Sequence, residues 1–376
     1  MADGPPTIPL PGAVRTHLDE LTGRLGIYQH ARGRTPDPGQ GYCTDDVARA
    51  ALVDILHRRQ LGPAAVAPSL ERSVAFLAAA RVVRTGRLRN FRDDDGNWLE
   101  SEGSADANAR GIQALGSIVA ESLDDSVGRL ALDEFEALLP AAVGPDGARP
   151  WAHAIIGCLA ALRSPEPPLL TGPVLGTLAG RLMDAFSPVD ADWPWPEPVV
   201  TYENAILPQA LIEAGTWLGD PAMVEQGLTT LDWLLAAQLA PSGFVDLVGN
   251  QGWWPRGQAA ARFDQQPIDA AACVEACLAA WRVTDDAHWL VELERAYAWF
   301  NGFNSTGRQV ADPDRGGCCD GLSPIGPNAN QGAESTLAWL SATEHVRMAR
   351  SQARPGQLEA ARPAREESRS EPQGMA

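Results

Sequence analysis

The sequence predicts an all-α fold, an (α/α)6 barrel of six inner and six outer helices with long loops on one face. Six segments share a polar head followed by small and apolar residues at helical spacing, and successive heads lie 45 to 66 residues apart. Six further segments carry apolar residues at i, i+3, i+4 and i+7 with charges opposite, as surface helices do. A helix that is apolar all round must be buried on all sides, so the small-residue helices belong inside.

The predicted inner helices begin near Asp45, Asp106, Trp151, Glu203, Asp269 and Glu334. The predicted outer helices read AVRTHLDELTGRLGIY, PSLERSVAFLAAARV, VGRLALDEFEALL, PVLGTLAGRLMDAF, AMVEQGLTTLDWLLAAQL and AHWLVELERAYAWF. The few β-rich runs, such as EPVVTY, lie in connections. We therefore expect one barrel domain over residues 1–348, followed by a polar, disordered tail over 349–376.

Composition narrows the partners and the chemistry. A net charge of -18 argues against nucleic acid and anionic membrane surfaces as partners. All 30 cationic side chains are arginine, which excludes Schiff-base chemistry and a P-loop lysine. There is no apolar run of roughly 18 residues and no secretory signal, and the six cysteines lack zinc-site spacing. We expect a cytoplasmic protein with reduced thiols, no metal and no cofactor.

Loop lengths predict which end of the barrel is functional. Connections from an inner helix to the next outer helix are short, whereas those from an outer to an inner helix are long, as in RTGRLRNFRDDDGNWLESEGS. Long irregular loops in a compact domain usually carry function. These loops all lead into the N-termini of inner helices, so their polar heads should surround a shared funnel.

The loops and heads combine flat aromatic rings with carboxylates and amides, the side chains that usually bind sugar rings. We therefore expect an oligosaccharide or glycan as the substrate. The predicted substrate-binding residues are Tyr42, Asp45, Arg49, Trp98, Asp106, Arg110, Trp193, Trp195, Tyr202, Asn204, Trp253, Trp254, Arg262, Asp264, Gln265, Gln266 and Asn330.

Glycoside hydrolysis needs two carboxyl groups, one as proton donor and one as base or nucleophile. Asp46, Glu203, Asp269 and Glu334 are the predicted catalytic residues, one from each of four inner helices. No arginine lies near Glu203 or Glu334 in the sequence, so either is expected to be the acid. Asp46 or Asp269 is then expected to be the base.

Two arginines are expected to keep neighbouring carboxylates ionised. Arg49 follows Asp45 by four residues, and Arg110 follows Asp106 by four, which places each pair on one helical face. Arg262, close to an acid in the loop before the fifth inner helix, is expected to act similarly. Such carboxylates suit binding or base roles better than proton donation.

Two other functions fit the same pattern. The carboxylates of a sugar-binding accessory protein, working beside a glycosyltransferase, would only accept hydrogen bonds from sugar hydroxyls. A sugar epimerase would instead need a histidine in the funnel, and His30 and His153 are the two nearest candidates. Loss of activity in Glu334→Gln with binding kept would favour hydrolysis, whereas loss in His153→Ala would favour epimerisation.

The stretch GYCTDDVARAAL resembles the signature Y-C-T-D-D-N-A-R-A-L of uncharacterised six-hairpin-glycosidase-like proteins, which are often found with glycosyltransferases. TYENAILPQAL, RFDQQPIDA and NQGAESTLAWL extend the resemblance from Gly41 to Leu340. It implies an (α/α)6 fold and a carbohydrate-linked role. Val47 stands where the signature has asparagine, and SEGSADANARG departs from the E-D-x-x-G-R pattern expected at the second inner helix.

Overall fold

Twelve α-helices make up most of the part of the chain that is described. The computed structural model describes residues 4–123, 125–144, 146–187, 190–354 and 356–357. The helices are α1 (Thr16–Leu21), α2 (Thr44–Leu61), α3 (Pro63–Ala80), α4 (Ala105–Ala120), α5 (Ser126–Ala142), α6 (Ala148–Ala161), α7 (Thr171–Ala185), α8 (Ile206–Leu218), α9 (Pro221–Ala237), α10 (Pro267–Thr284), α11 (Ala287–Phe300) and α12 (Ala333–Gln352). Five of the even-numbered helices follow long connections, as the sequence predicts, but α6 follows the short connection 143–147, which is shorter than the connection 162–170 after it.

The even-numbered helices form a closed inner ring. Each packs against the next one along the chain, and α12 packs against α2 to close the ring. Odd-numbered helices lie outside, each against a neighbouring inner helix. The (α/α)6 barrel predicted from the sequence is therefore confirmed.

Small residues explain how closely the inner helices approach. A Cβ atom on Gly116 of α4 would lie 2.2 Å from the carbonyl oxygen of Gly157 on α6. A Cβ atom on Gly157 would in turn lie 2.6 Å from the carbonyl oxygen of Ile112. Larger residues fill the space elsewhere, and Trp299 and Trp339 are almost fully buried in the core. Small side chains are thus needed where helix backbones touch.

The first outer helix is shorter than predicted. The segment AVRTHLDELTGRLGIY forms a helix only as far as Leu21, because Thr22 is extended and forms an antiparallel bridge with Ile27. The intervening turn brings Gly23 against two rings, since a Cβ atom there would lie 2.5 Å from the Tyr42 hydroxyl and 2.7 Å from the Tyr28 ring. Close packing with these tyrosines replaces the expected last helical turns.

The strands lie in the connections and have two residues each. They form six antiparallel ladders within the described residues. The strands are β1 (Ala31–Arg32), β2 (Thr35–Pro36), β3 (Tyr42–Cys43), β4 (Arg81–Val82), β5 (Arg87–Leu88), β6 (Phe91–Arg92), β7 (Val199–Val200), β8 (Trp254–Pro255), β9 (Ala311–Asp312), β10 (Gly317–Cys318), β11 (Leu322–Ser323) and β12 (Gly326–Pro327). Only β3–β6 and β7–β8 join different connections, so these two ladders tie neighbouring loops together.

Three sequence expectations concern the chain as a whole. No described helix is long and apolar enough to cross a membrane. All six cysteines have free thiols. The predicted polar tail over 349–376 overlaps the end of α12, and its residues from 358 onward lie outside the described residues.

Candidate active site

A cavity of about 430 Å³ opens at the N-termini of the inner helices. We call it the funnel. The long connections lead into these helices, so their first turns and the loops before them form its wall. Its lining consists of Gln29, His30, Cys43, Asp45, Asp46, Arg49, Phe91, Asp106, Arg110, Tyr202, Gln266, Asp320, Gly332, Glu334 and Ser335. Of the six predicted heads, Asp45, Asp106 and Glu334 line the funnel, whereas Trp151, Glu203 and Asp269 do not.

Arg49 joins two carboxylates of the funnel wall. Its Nη1 lies 2.7 Å from Asp46 Oδ1, and its Nη2 lies 2.8 Å from Glu334 Oε2. The thiol of Cys43 donates a hydrogen bond to Asp46 Oδ2 at 3.1 Å. Burial raises the pKa of Asp46 to about 6, with Arg49 opposing the rise and Glu334 adding to it. Asp46 is thus a carboxyl group that can carry a proton near neutral pH.

Arg110 joins the funnel to a second, deeper group. Its guanidinium forms a bidentate pair with Glu203 and lies 3.8 Å from Asp45. His153 Nε2 lies 3.3 Å from Glu203 Oε2, and His153 Nδ1 lies 2.7 Å from Gln113 Oε1. Burial alone would raise the pKa of Glu203, but Arg110 and His153 together hold it well below its usual range. Burial, with Arg110, also lowers the pKa of His153, while Glu203 opposes the fall.

These pairings differ from those expected from sequence spacing. Arg49 pairs with Asp46 rather than Asp45, because residues three apart also share a helical face. Glu203 and Glu334, which have no arginine near them in sequence, each receive one from another helix. The packing of the barrel therefore decides the partners, and Glu203 is held ionised instead of being kept ready to donate a proton.

A narrower cavity of about 60 Å³ lies along the barrel axis. Arg49 and Arg110 line both this cavity and the funnel. Gln113 and Glu203 also line it, so the pair formed by Arg110 and Glu203 stands between the two spaces. The backbone of Glu203 has a positive φ of 47°, a conformation that non-glycine residues adopt chiefly where the surroundings enforce it.

Asp106 and Tyr202 form a third group on the funnel wall. The Tyr202 hydroxyl donates to Asp106 Oδ2, and the Arg149 guanidinium lies 4.8 Å from the centre of the Tyr202 ring. The Trp253 ring packs beside Tyr202 with the centroids 6.3 Å apart. Burial raises the pKa of Tyr202 strongly, and Asp106 adds to the rise, so the hydroxyl remains a donor.

Asp269 lies behind the funnel wall, buried, and is not part of the cavity lining. Its Oδ1 accepts a hydrogen bond from Asn204 Nδ2 at 3.1 Å, while its Oδ2 is buried without a partner. Burial raises the pKa of Asp269 to about 8. This carboxyl is therefore protonated at neutral pH and does not match the predicted base.

None of the five predicted tryptophans belongs to the funnel lining. Trp193 and Trp195 are buried, and together with Trp254 they surround Trp233 of α9, with ring centroids 5.1 to 6.2 Å apart. Trp98 packs edge-on against Phe76 at 5.3 Å. Indole rings held in this way pack the loops onto the barrel, and Trp193 and Trp195 have little surface left for a sugar.

Other predicted binding residues hold loops in place. Arg262 pairs with Asp246 at 3.0 Å, and Asp264 accepts from Gln251 at 3.1 Å. Gln265 is fully buried and accepts a hydrogen bond from Trp299 Nε1 at 2.8 Å. Of the stretch RFDQQPIDAAA, Gln266 is the residue that lines the funnel.

Two further predicted residues stabilise the surroundings. Tyr42 is fully buried and stacks on Tyr28 with the ring centroids 4.7 Å apart. Asn330 is exposed and accepts a hydrogen bond from the backbone N–H of Gly33 at 3.0 Å. Neither lines the funnel.

Sequence reasoning missed two prominent residues of the lining, Phe91 and Asp320. Asp320 Oδ1 accepts hydrogen bonds from the backbone N–H of Gly332 and from the Ser335 hydroxyl, both at 2.6 Å, at the start of α12. Both missed residues lie in long connections, for which loop length had predicted a functional role. A search of those loops for any acid or ring would have found them. Among the described residues, no group of three or more His, Cys, Asp or Glu side chains is arranged to hold a metal ion.

Solved structures of sugar-processing enzymes share this architecture. Cellobiose 2-epimerase from Bacillus thermoamylovorans B4167 matches with 13% identity and a TM-score of 0.69, over 89% of this chain and 96% of that chain. D-mannose isomerase matches with 11% identity and a TM-score of 0.68, over 89% and 94%. The α-1,6-mannanase GH76A from Salegentibacter sp. HEL1_6 matches with 13% identity and a TM-score of 0.59, over 89% and 96%.

The likeness establishes the fold. No family model matches the chain, and no curated protein matches its sequence. The mannanase has also been solved as an inactive variant, with two successive aspartates replaced by alanine, in complex with α-1,6-mannotetrose.

Proposed function

We propose that this chain is a carbohydrate-active enzyme that hydrolyses a glycosidic bond of an oligosaccharide held in the funnel. The observation that carries the proposal is the group of Asp46 and Glu334 on the single guanidinium of Arg49. Two carboxyl groups in unlike environments, at the wall of one cavity, are what glycoside hydrolysis requires.

The environments suggest the roles. Asp46, whose pKa is raised to about 6, would give its proton to the glycosidic oxygen as the bond from that oxygen to the anomeric carbon breaks. Glu334 is ion-paired with Arg49, and 42% of its side-chain surface is exposed. It would take a proton from the attacking water, or attack the anomeric carbon itself. The sequence analysis expected Glu334 as a candidate acid and Asp46 as a candidate base, so these two roles are reversed. Glu203 and Asp269 would then hold other residues of the site in place.

Asp45 and Asp46 are successive aspartates on the funnel wall. Asp45 accepts a hydrogen bond from Asn90 Nδ2 at 2.9 Å and lies 3.8 Å from Arg110. We assign Asp45 to binding and orientation rather than to proton transfer.

Incubation with α- and β-linked manno-, gluco- and galacto-tetraoses, read by chromatography, tests the proposal. We expect one of them to yield shorter sugars. Asp46→Asn should lower kcat/KM by about 10²- to 10⁴-fold, the usual contribution of a general acid. Glu71→Gln, an exposed carboxylate change on the outer helix α3, is the matched control and should leave the rate unchanged.

The pH profile gives a second readout. Because a proton donor must be protonated, kcat/KM should fall as the pH rises through about 6, and Asp46→Asn should lose this limb. Full activity of Asp46→Asn would refute the assignment. Binding of a tetraose without turnover at any pH would favour the sugar-binding accessory protein, whose association with a glycosyltransferase stays a prediction.

One observation favours a second candidate, a sugar epimerase or isomerase. His30 is exposed and lines the funnel, whereas His153 is buried beneath it. Two of the structurally similar enzymes are an epimerase and an isomerase. The same incubation in D₂O separates the candidates, because proton transfer at carbon would place deuterium at C2 without shortening the sugar. Loss of that exchange in His30→Ala would favour the second candidate.

A further inference from the structure

We propose that Phe91 is the platform on which a pyranose ring of the substrate stacks, beside the carboxyl of Asp46. This inference rests on the proposed function, because it names the surface that holds the sugar next to the proton donor. Phe91 belongs to neither the predicted binding residues nor the buried core.

The register of one short ladder fixes where the ring points. Strand β6 pairs with β3 so that Phe91 lies opposite Cys43 and Arg92 lies opposite Tyr42. Residues directly opposite each other in a ladder project their side chains to the same face. Cys43 lines the funnel and donates to Asp46, so Phe91 projects beside it, while Tyr42 projects to the opposite face and is buried.

The exposure of Phe91 is unusual for its surroundings. Its ring lines the funnel and is 40% exposed, whereas Trp98, from the same loop, packs against the core. In the part of the chain that is described, no aromatic ring stacks on Phe91. A large apolar side chain left open in a concave polar cavity is a common mark of a ligand contact.

The backbone holds Phe91 in place despite this exposure. Its N–H donates to Glu100 Oε1 at 3.1 Å, and its carbonyl oxygen accepts from the N–H of Leu99 at 3.0 Å. The ladder with β3 anchors it from the other side. The backbone at Phe91 is therefore fixed before a ligand arrives, which reduces the entropy lost on binding.

The chemistry of the funnel specifies what would stack there. The face of a pyranose ring offers C–H bonds to the aromatic ring, and its hydroxyls can donate to the carboxylates around it. Asp45 and Glu334 lie on the same funnel wall as acceptors. The ligand class is therefore an uncharged hexopyranose unit of an oligosaccharide.

Calorimetric titration of the Asp46→Asn variant, which should bind the tetraoses used above without cleaving them, tests the platform in that background. We expect Phe91→Ala and Phe91→Leu each to weaken the Kd at least tenfold, because both remove the flat ring and Phe91→Leu keeps most of the apolar volume. Phe91→Tyr should stay within about threefold of the Asp46→Asn variant itself. The matched control is Leu99→Ala, in the same loop, 63% exposed and outside the funnel lining.

The possible outcomes are distinct. Unchanged affinity in Phe91→Ala and Phe91→Leu would overturn the platform and leave the proposed function standing. Equal weakening by Leu99→Ala would also overturn it, because the loop as a whole and not the ring would then be responsible. Failure of the wild type to bind any of the tetraoses would overturn the proposed function, and the platform with it.

Discussion

Asp269 shows how burial alone can change the meaning of a carboxylate in a sequence. At the start of α10 it reads as a catalytic acid or base, but the structure buries it and leaves Oδ2 without a partner. An ionised carboxylate in such a place is costly, which is why the pKa rises to about 8. The same burial withholds it from the cavity. We therefore regard Asp269 as part of the support behind Asn204.

Asp269→Asn should make the protein relatively more stable as the pH rises. The folded-state pKa is about 8, against about 3.9 for an unfolded chain, so the native state holds an extra proton between these values. The stability that this proton contributes to the native state is fully present below pH 4. It is lost as the pH rises from 4 to 8, by up to about 1.4 kcal/mol per pH unit. Denaturant unfolding of both proteins from pH 4 to 8 should show a difference that grows in favour of the variant. A pH-independent difference, or loss of activity without that change, would contradict the supporting role.

Arg49 and Arg110 show which part of the site could be predicted. The sequence placed them correctly near the N-termini of inner helices, and helical periodicity sufficed for that. Their partners lie more than 90 residues away, Glu334 on α12 and Glu203 in the connection just before α8. Local spacing contains no information on how distant segments are oriented toward each other. These ion pairs could therefore be identified only from the folded structure.

The deeper group of the site, around Arg110 and Glu203, depends on the contact between helices α4 and α6. α4 carries Arg110 and Gln113, and α6 carries His153, which touches Gln113. The helices can approach because both positions at their crossing are glycine. The sequence predicted both helices as buried, since small residues dominate them, but it did not identify the crossing point.

Gly157→Ala should separate these helices and destabilise the protein by about 3 kcal/mol. The added Cβ would lie 2.6 Å from the Ile112 carbonyl oxygen and 2.7 Å from Gln113 Cα, which are backbone atoms that cannot move aside cheaply. The matched change Gly176→Ala, on the exposed face of α7 with nothing within 4 Å, should raise stability by about 0.5–1 kcal/mol. Thermal unfolding compares them. Equal Tm values would show that the crossing tolerates a methyl group.

At the scale of the whole molecule, the barrel gathers charges that are far apart in the sequence. Five carboxylates and two guanidiniums line the funnel, in a chain whose net charge is -18. Arg49 and Arg110 are already engaged by Asp46, Glu334 and Glu203. The overall charge could be read from the sequence, and it predicted that nucleic acid and anionic membrane surfaces are not partners. The concentration of negative charge at the funnel end of the barrel follows from the closure of the ring of inner helices.

This concentration of negative charge should make the funnel select against anionic sugars. An added carboxylate would be repelled inside a cavity of low dielectric and would find both arginines occupied. We expect β-1,4-linked tetramannuronate to bind at least tenfold more weakly than β-1,4-linked mannotetraose, which has the same ring configuration and linkage. Raising the ionic strength should narrow the gap, because salt screens the repulsion while leaving stacking and hydroxyl contacts largely unaffected. Calorimetry of the two ligands at low and high salt measures both effects. Tighter binding of the mannuronate would mean that an arginine is released to the substrate, and the pairing of Arg49 with Asp46 and Glu334 would then describe only the empty funnel.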